Sequence, residues 1–237
     1  MKKTNRLGKV LYFGVTLSFL VPIVYLILRM IFGGGEEASA GMHSDSDYLL
    51  MLMQCVLGLI TIHLPGILER KLRFELPGLL YGFYIVFLYC AIFLGEVRSF
   101  YYLVPKWDSV CHFFSSMMTG FFGLMMVAIL NRDRRISMNL SPFFLCLFAF
   151  CFSVTLGSLW EIYEFTADGL FGLNMQKFMT ADGVLLVGHE ALRDTMKDII
   201  VDVLGALLAS CIGMFSIRRG LGWFIPALTD EKEAEEQ

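Results

Sequence analysis

The sequence predicts an all-α fold: one polytopic membrane domain of about six transmembrane helices, with both termini in the cytoplasm. Three observations predict it. Hydrophobic residues make up 57% of the 237-residue chain and the mean hydropathy is +0.65, too apolar for a soluble domain of this size. The apolar residues fall into six runs, each long enough to cross a hydrocarbon core of ~30 Å at about 1.5 Å per residue. Lys and Arg gather on alternate connections between those runs, the asymmetry that orients membrane proteins.

The runs follow in order. Lys2, Lys3, Arg6 and Lys9 precede the first, at 10–32. A basic head before an apolar core resembles a signal peptide, and Ala38-Ser39-Ala40 resembles a cleavage site. The core is too long, and the small residues too far beyond it, for a cleaved signal; an uncleaved first span is expected. A Gly-, Ser- and acid-rich loop without Lys or Arg leads to span two, at 48–68, which carries His63 beside Pro65 near its end. A basic turn with Arg70, Lys71 and Arg73 precedes span three, at 79–95. The next loop holds Arg98 and the aromatics Phe100, Tyr101 and Tyr102, which mark a headgroup interface. Span four covers 109–130, and Arg132, Arg134 and Arg135 follow it. Pro142 opens span five, at 142–164. The long polar stretch 165–193, with Gly169, Gly172, Gly183 and Gly188, is a candidate lid, because a loop of that length is often functional. Span six covers 198–217, and Arg218-Arg219 opens a tail, 218–237, that ends acidic.

The basic connections are the N-terminus, the turns near Arg70 and Arg132, and the end of span six. The positive-inside rule puts these in the cytoplasm, and the expected location is a bacterial cytoplasmic (inner) membrane. The net charge of -3 gives no reason to expect nucleic acid; the expected partner is the lipid bilayer. The six cysteines, Cys55, Cys90, Cys111, Cys146, Cys151 and Cys211, lie in or beside apolar runs without a Cys-x-x-Cys pair, so they read as small packing residues.

Chemistry is expected at three helix ends that this topology places on the outer side. Asp108 and His112 open span four, Glu161 and Glu164 close span five, and Asp194, Asp198 and Asp202 open span six. Each set continues as a polar, small stripe at steps of three or four: Asp108, His112, Ser115 or Ser116, Thr119 and Gly123; Ser153, Gly157, Glu161, Glu164 and Asp168; Asp194, Asp198, Asp202, Gly205 or Ala206, Ala209 and Gly213. Small residues at that spacing let membrane helices approach closely, so the ionisable groups fall on packing faces. A charge at membrane depth costs several kcal/mol, and clustered carboxylates raise one another's pKa. Protons, cationic partners or a metal could relieve the cluster. Its carboxylates and single His suit Mg²⁺, Mn²⁺ or Ca²⁺, with Zn²⁺ or Fe²⁺ open through His112.

The expected metal ligands are Asp108, His112, Glu161, Glu164, Asp198 and Asp202, with Glu161 and Glu164 as candidate acid–base residues. His189 and Glu190 read as bystanders. Three functions stay open: a metal-dependent hydrolase or transferase acting on a lipid or lipid-linked envelope substrate, a cation- or proton-coupled transporter, and a non-enzymatic membrane protein that binds lipid or a partner.

Trp107-Asp108 with His112-Phe113 and Gly120, Trp160-Glu161 with Glu164, and Asp194-Thr195, Asp198, Asp202 and Gly205-Ala206 together resemble the YjdF-like family of bacterial inner-membrane proteins. Asp108 with His112-Phe113 is also similar to the opening of VanZ-like membrane domains. The resemblance implies a polytopic membrane protein and supplies no catalytic residue or substrate.

Overall fold

A computed structural model describes residues 6–32, 45–72, 76–132, 139–180 and 183–221. The small-residue stretch Ala38-Ser39-Ala40, Lys2 and Lys3, Arg134 and Arg135, and the acidic tail lie outside the described residues. The order is α1 (Arg6–Phe32), α2 (Asp45–Thr61), α3 (Leu64–Leu72), α4 (Gly78–Leu88), a π-helical segment (Tyr89–Val97), α5 (Phe100–Leu103), α6 (Trp107–Arg132), α7 (Pro142–Phe171) and α8 (His189–Arg218). Six of the described helical stretches are long and apolar enough to cross a membrane.

The helices form two groups. In the first, α1, α2, α4 and the π-helical segment pack together. Helix α1 offers a narrow stripe of Val15, Phe19, Pro22 and Leu26, spaced by three and four as a helix–helix seam requires, and leaves its other faces exposed. Phe19, Cys55, Ile62, Ile85 and Ile92 fill this core. Gly58 makes the approach possible: a Cβ there would stand 2.8 Å from Ile92 Cδ1 and 2.9 Å from Phe19 Cε2. Span two is expected as one helix over 48–68, but it breaks after Thr61, and α3 restarts at Leu64. Pro65 explains the break, because it lacks the amide that would bond back to the Thr61 carbonyl; Tyr84 Oη donates to that carbonyl instead. Span three likewise changes to a π-helix at Tyr89. Such widened turns often occur at functional sites, and here Trp107 Nε1 donates to the Cys90 carbonyl at 3.3 Å.

The second group is the mutually packed triplet α6, α7 and α8. Small residues set its spacing. A Cβ on Gly120 would lie 2.9 Å from Ala209 Cβ, and one on Gly205 would collide with Ser116 Oγ and the Phe113 carbonyl. Leu124, Val127, Leu145, Cys146 and Ala149 seal the end of the triplet nearest the α6–α7 turn. A third cluster joins the groups at the opposite end: Leu50 of α2 packs with Ala167, Leu173 and Met175.

Two expected boundaries move. Helix α7 runs to Phe171, beyond the expected end at 164, and α8 begins at His189, before the expected start at 198. The expected loop 165–193 therefore shrinks to a strap over 172–188. Gly172 ends α7 in the left-handed conformation at φ 64, the usual role of a glycine just past a helix end. Asp194, Asp198 and Asp202 consequently lie inside a helix, one turn or more from its start.

A candidate metal site between three helices

The three stripes meet at one depth. About 28 Å of helix separates His112 from Asn131 at the far end of α6, and about 28 Å separates Glu161 from Pro142; for Asp202 and Arg218 the figure is about 24 Å. If the far helix ends mark one boundary of a hydrocarbon core of ~30 Å, these residues fall just inside the other, away from the basic turns.

His112 is the centre, and 7% of it is exposed. Its Nδ1 lies 3.3 Å from Asp202 Oδ2. Its Nε2 lies 3.8 Å from Asp108 Oδ1 of its own helix and 3.8 Å from Glu161 Oε1 of α7. Asp108, His112 and Asp198 each present a ligand atom within 4.8 Å of the other two. A cation bound at about 2.0–2.6 Å would place its ligand atoms at such separations, so the donor set fits a divalent ion. Gly157 creates the room for Asp202, since a Cβ on Gly157 would collide with the Asp202 carboxylate.

The cluster is under-satisfied. Glu161, Asp198 and Asp202 are buried, and both Glu161 oxygens, Asp198 Oδ1 and Asp202 Oδ1 have no hydrogen-bond partner among the described residues. Buried polar atoms are ordinarily partnered, and buried carboxylates far more strictly so. Below His112 the polar stripe is satisfied: Ser153 Oγ donates to the Ser116 carbonyl at 2.7 Å and lies 2.9 Å from Thr119 Oγ1. The unpartnered carboxylate oxygens are thus confined to the acidic layer; of the hydroxyls, Ser109 Oγ beside Asp108 and Ser210 Oγ about two turns beyond Asp202 on α8 also lack a partner among the described residues.

Not every expected residue joins that layer. Glu164 is one turn beyond Glu161 and accepts a hydrogen bond from Trp160 Nε1 at 2.8 Å; it is not within ion-pair distance of His112. Asp194 lies 3.9 Å from Lys197 Nζ. Asp168, in the last turn of α7, serves the strap: its carboxylate accepts from the Met175 amide at 2.7 Å and the Gln176 amide at 3.0 Å. His189 and Glu190 are exposed, and Glu190 pairs with Arg193 at 3.3 Å.

Three groups, Lys177, Tyr101 and Glu96, were not expected near the site. Lys177, on the strap, has its ammonium 4.9 Å from the Tyr102 ring centre and 5.3 Å from that of Tyr101. Burial pulls its pKa down, but Glu96 above all, then Tyr102, Asp108 and Glu164, raise it further, so Lys177 stays protonated above the ordinary lysine value. The Tyr101 phenol is pushed well above its usual range by burial, then by Cys111 and the carboxylates of Asp108, Glu96 and Glu164. Glu96 comes from the π-helical segment. Gly95 makes way for Tyr101, whose Cε2 would lie 2.5 Å from a Cβ there.

Residues 16–219 match the family model described as "Predicted membrane protein (DUF2238)". The chain belongs to this family. The YjdF-like resemblance read from the sequence agrees with that membership. An uncharacterized protein of Thermotoga maritima is 33% identical over 113 residues, which cover 47% of this chain and 50% of the relative. The chain thus spans about half the length of the curated relative it matches. No solved structure matches. The DUF2238 chain is therefore a multi-pass membrane protein in a family whose description names no activity.

Proposed function

We propose that this DUF2238 protein binds a divalent cation in the layer formed by Asp108, His112, Asp198, Asp202 and Glu161, and uses it on a lipid or lipid-linked envelope molecule. One observation carries the reading: buried carboxylate oxygens without partners surround a single histidine. Such a set needs positive charge, and His112, the cationic group within 4 Å of Asp108, Glu161 and Asp202, does not balance them by itself. Asp108, His112 and Asp198 hold the ion, with Asp202 orienting the imidazole through Nδ1 in the manner of a carboxylate–histidine pair. A bound divalent ion would supply Lewis acidity and an activated water. Glu161, 3.8 Å from His112 Nε2, would accept a proton beside it, and Glu164 stands one turn further out. The depth supports a headgroup as substrate. The basic turns support an orientation with both termini in the cytoplasm, which opens the site toward the outer leaflet of a bacterial cytoplasmic membrane.

The test is elemental analysis and Mn²⁺ titration of the purified full chain, beside D198N/D202N. The wild type is expected to carry or take up one ion per chain, and the double variant to lose it. Equal uptake by both proteins would sink the assignment. Transport of a cation or proton is the second reading, favoured by the burial of the cluster; ion flux in proteoliposomes, absent under the first reading, separates the two.

A further inference from the structure

We propose that Lys177 is the anion contact of this site and accepts a phosphate ester once a divalent cation is bound. The inference rests on the metal reading above and names the substrate class of that same site. Its starting point is unused hydrogen-bonding capacity. An ammonium has three donors. Among the described residues, Lys177 Nζ makes one long hydrogen bond, 3.4 Å to the Asn174 carbonyl, and no carboxylate comes within ion-pair distance of it. One side of the ammonium faces the rings of Tyr101 and Tyr102, which favour a cation but accept no conventional hydrogen bond through their faces.

The strap is built to hold Lys177 there. Its backbone is left-handed at φ 52, a conformation that costs a non-glycine residue energy and persists only where the surroundings fix it. Asn174 fixes it on one side: its Nδ2 donates to the Met179 carbonyl and its Oδ1 accepts from the Met179 amide, both at 2.9 Å. Asp168 clamps the two residues before it, and Gln176 Nε2 donates to Thr195 Oγ1 of α8 at 2.9 Å. The side chain is thus positioned by three helical elements, although it stands on a connection.

Charge sets the order of binding. Gln176, the residue before Lys177, is bonded to Thr195, about one turn before Asp198, which brings the strap against the acidic layer. There the carboxylates of Glu96, Asp108 and Glu164 act on Lys177, and any that are charged and uncompensated repel an anion. A divalent ion on Asp108, His112 and Asp198 cancels that repulsion and leaves the ammonium with free donors. A phosphate oxygen then makes a stronger acceptor than the carbonyl it has. Cation and phosphate should therefore bind cooperatively, each raising the other's affinity.

The experiment uses the full chain in phosphatidylcholine nanodiscs, with glycerol 3-phosphate as probe and calorimetry with and without saturating Mn²⁺. The wild type is expected to bind the probe only with Mn²⁺. K177Q should weaken that binding by on the order of tenfold or more, with Mn²⁺ affinity unchanged or tighter and thermal stability unchanged; K177R should recover most of the loss. Phosphatidylglycerol in the bilayer that competes the probe away makes a lipid headgroup the source; lack of competition makes it a free phosphate ester, and Lys177 is the contact in both cases. Probe affinity equal in wild type and K177Q with Mn²⁺ bound, or indifferent to Mn²⁺, overturns the inference and leaves the metal site standing. A wild type that takes up no Mn²⁺ removes the metal reading and this one together.

Discussion

The two halves of this bundle are held together by different means. Around α1, α2 and α4 the core is Phe19, Cys55, Ile62, Ile85 and Ile92, with polar contacts such as that between Tyr84 Oη and the Thr61 carbonyl at 2.5 Å and, among the described residues, no carboxylate fully hidden from solvent. Between α6, α7 and α8 the apolar core of Leu124, Val127, Leu145, Cys146 and Ala149 is joined by a buried polar and small layer: His112, Ser116, Gly120, Ser153, Glu161, Asp198, Asp202, Gly205 and Ala209. In lipid, apolar side chains gain little by leaving one hydrocarbon environment for another, so close packing and interhelical polar contacts decide association. The first half is what a membrane bundle forms when only packing is asked of it. The second buries carboxylates that cost free energy wherever they lack a partner, and stability alone does not account for them. That cost, concentrated in carboxylates at one depth on three helices, is what supports the proposed site.

The largest effect that separates the halves should come from Gly205→Val. The added side chain meets Ser116 Oγ and the Phe113 backbone, and backbone cannot rotate away. Overpacking of this kind costs about 1–3 kcal/mol or more. We expect a large fall in thermal stability in nanodiscs and loss of Mn²⁺ uptake together. Gly82→Val is the control, because nothing lies within 4 Å of a Cβ there, and it should leave both measurements unchanged. Equal tolerance at the two positions would mean that α6 and α8 do not approach as closely as described.

The stripes behind that prediction were legible because lipid simplifies the reading. Asp, Ser, Gly and Ala recurring every three or four residues from Asp194 to Gly213 have no reason to face hydrocarbon, and all but the first of the expected stripe are buried. The convergence of His112, Glu161 and Asp202 followed from topology plus that periodicity. The ends of the helices did not. Thr166, Ala167 and Asp168 read as the start of a loop because they are polar or small, yet they continue α7, and Gly172 rather than the first polar residue marks its end. The contributions of Lys177 and Glu96 had no local signal. They reach the site through a strap and a π-helical segment whose paths depend on packing against the rest of the bundle. Glu164 carried the right spacing, but the indole four residues earlier takes its carboxylate.

An intermediate effect is expected from Asp168→Ala. Two backbone amides of the strap, those of Met175 and Gln176, lose their shared acceptor. Removing the partner of buried or half-buried donors costs about 1–3 kcal/mol, and here the loss is local to the strap. We expect a modest drop in thermal stability, faster hydrogen exchange over residues 173–180, and Mn²⁺ affinity close to wild type, since Asp108, His112 and Asp198 are anchored on α6 and α8. Loss of Mn²⁺ binding in this variant would show that the strap is part of the metal cage.

The smallest effect should come from the polar contact that most resembles the site in the other half. Tyr12 Oη lies 3.1 Å from His63 Nδ1, with the rings edge to face at 6.0 Å, so here too a histidine of one helix meets a polar group of another. The pair is exposed, however, and His63 has no buried carboxylate around it among the described residues. Water or headgroups can replace the phenol as its partner. Tyr12→Phe should therefore change stability by no more than about 0.5 kcal/mol and leave Mn²⁺ and phosphate binding untouched. A loss comparable to that of Gly205→Val would mean that the two halves do not differ as their packing indicates, and that a histidine between helices matters here whether or not acids surround it.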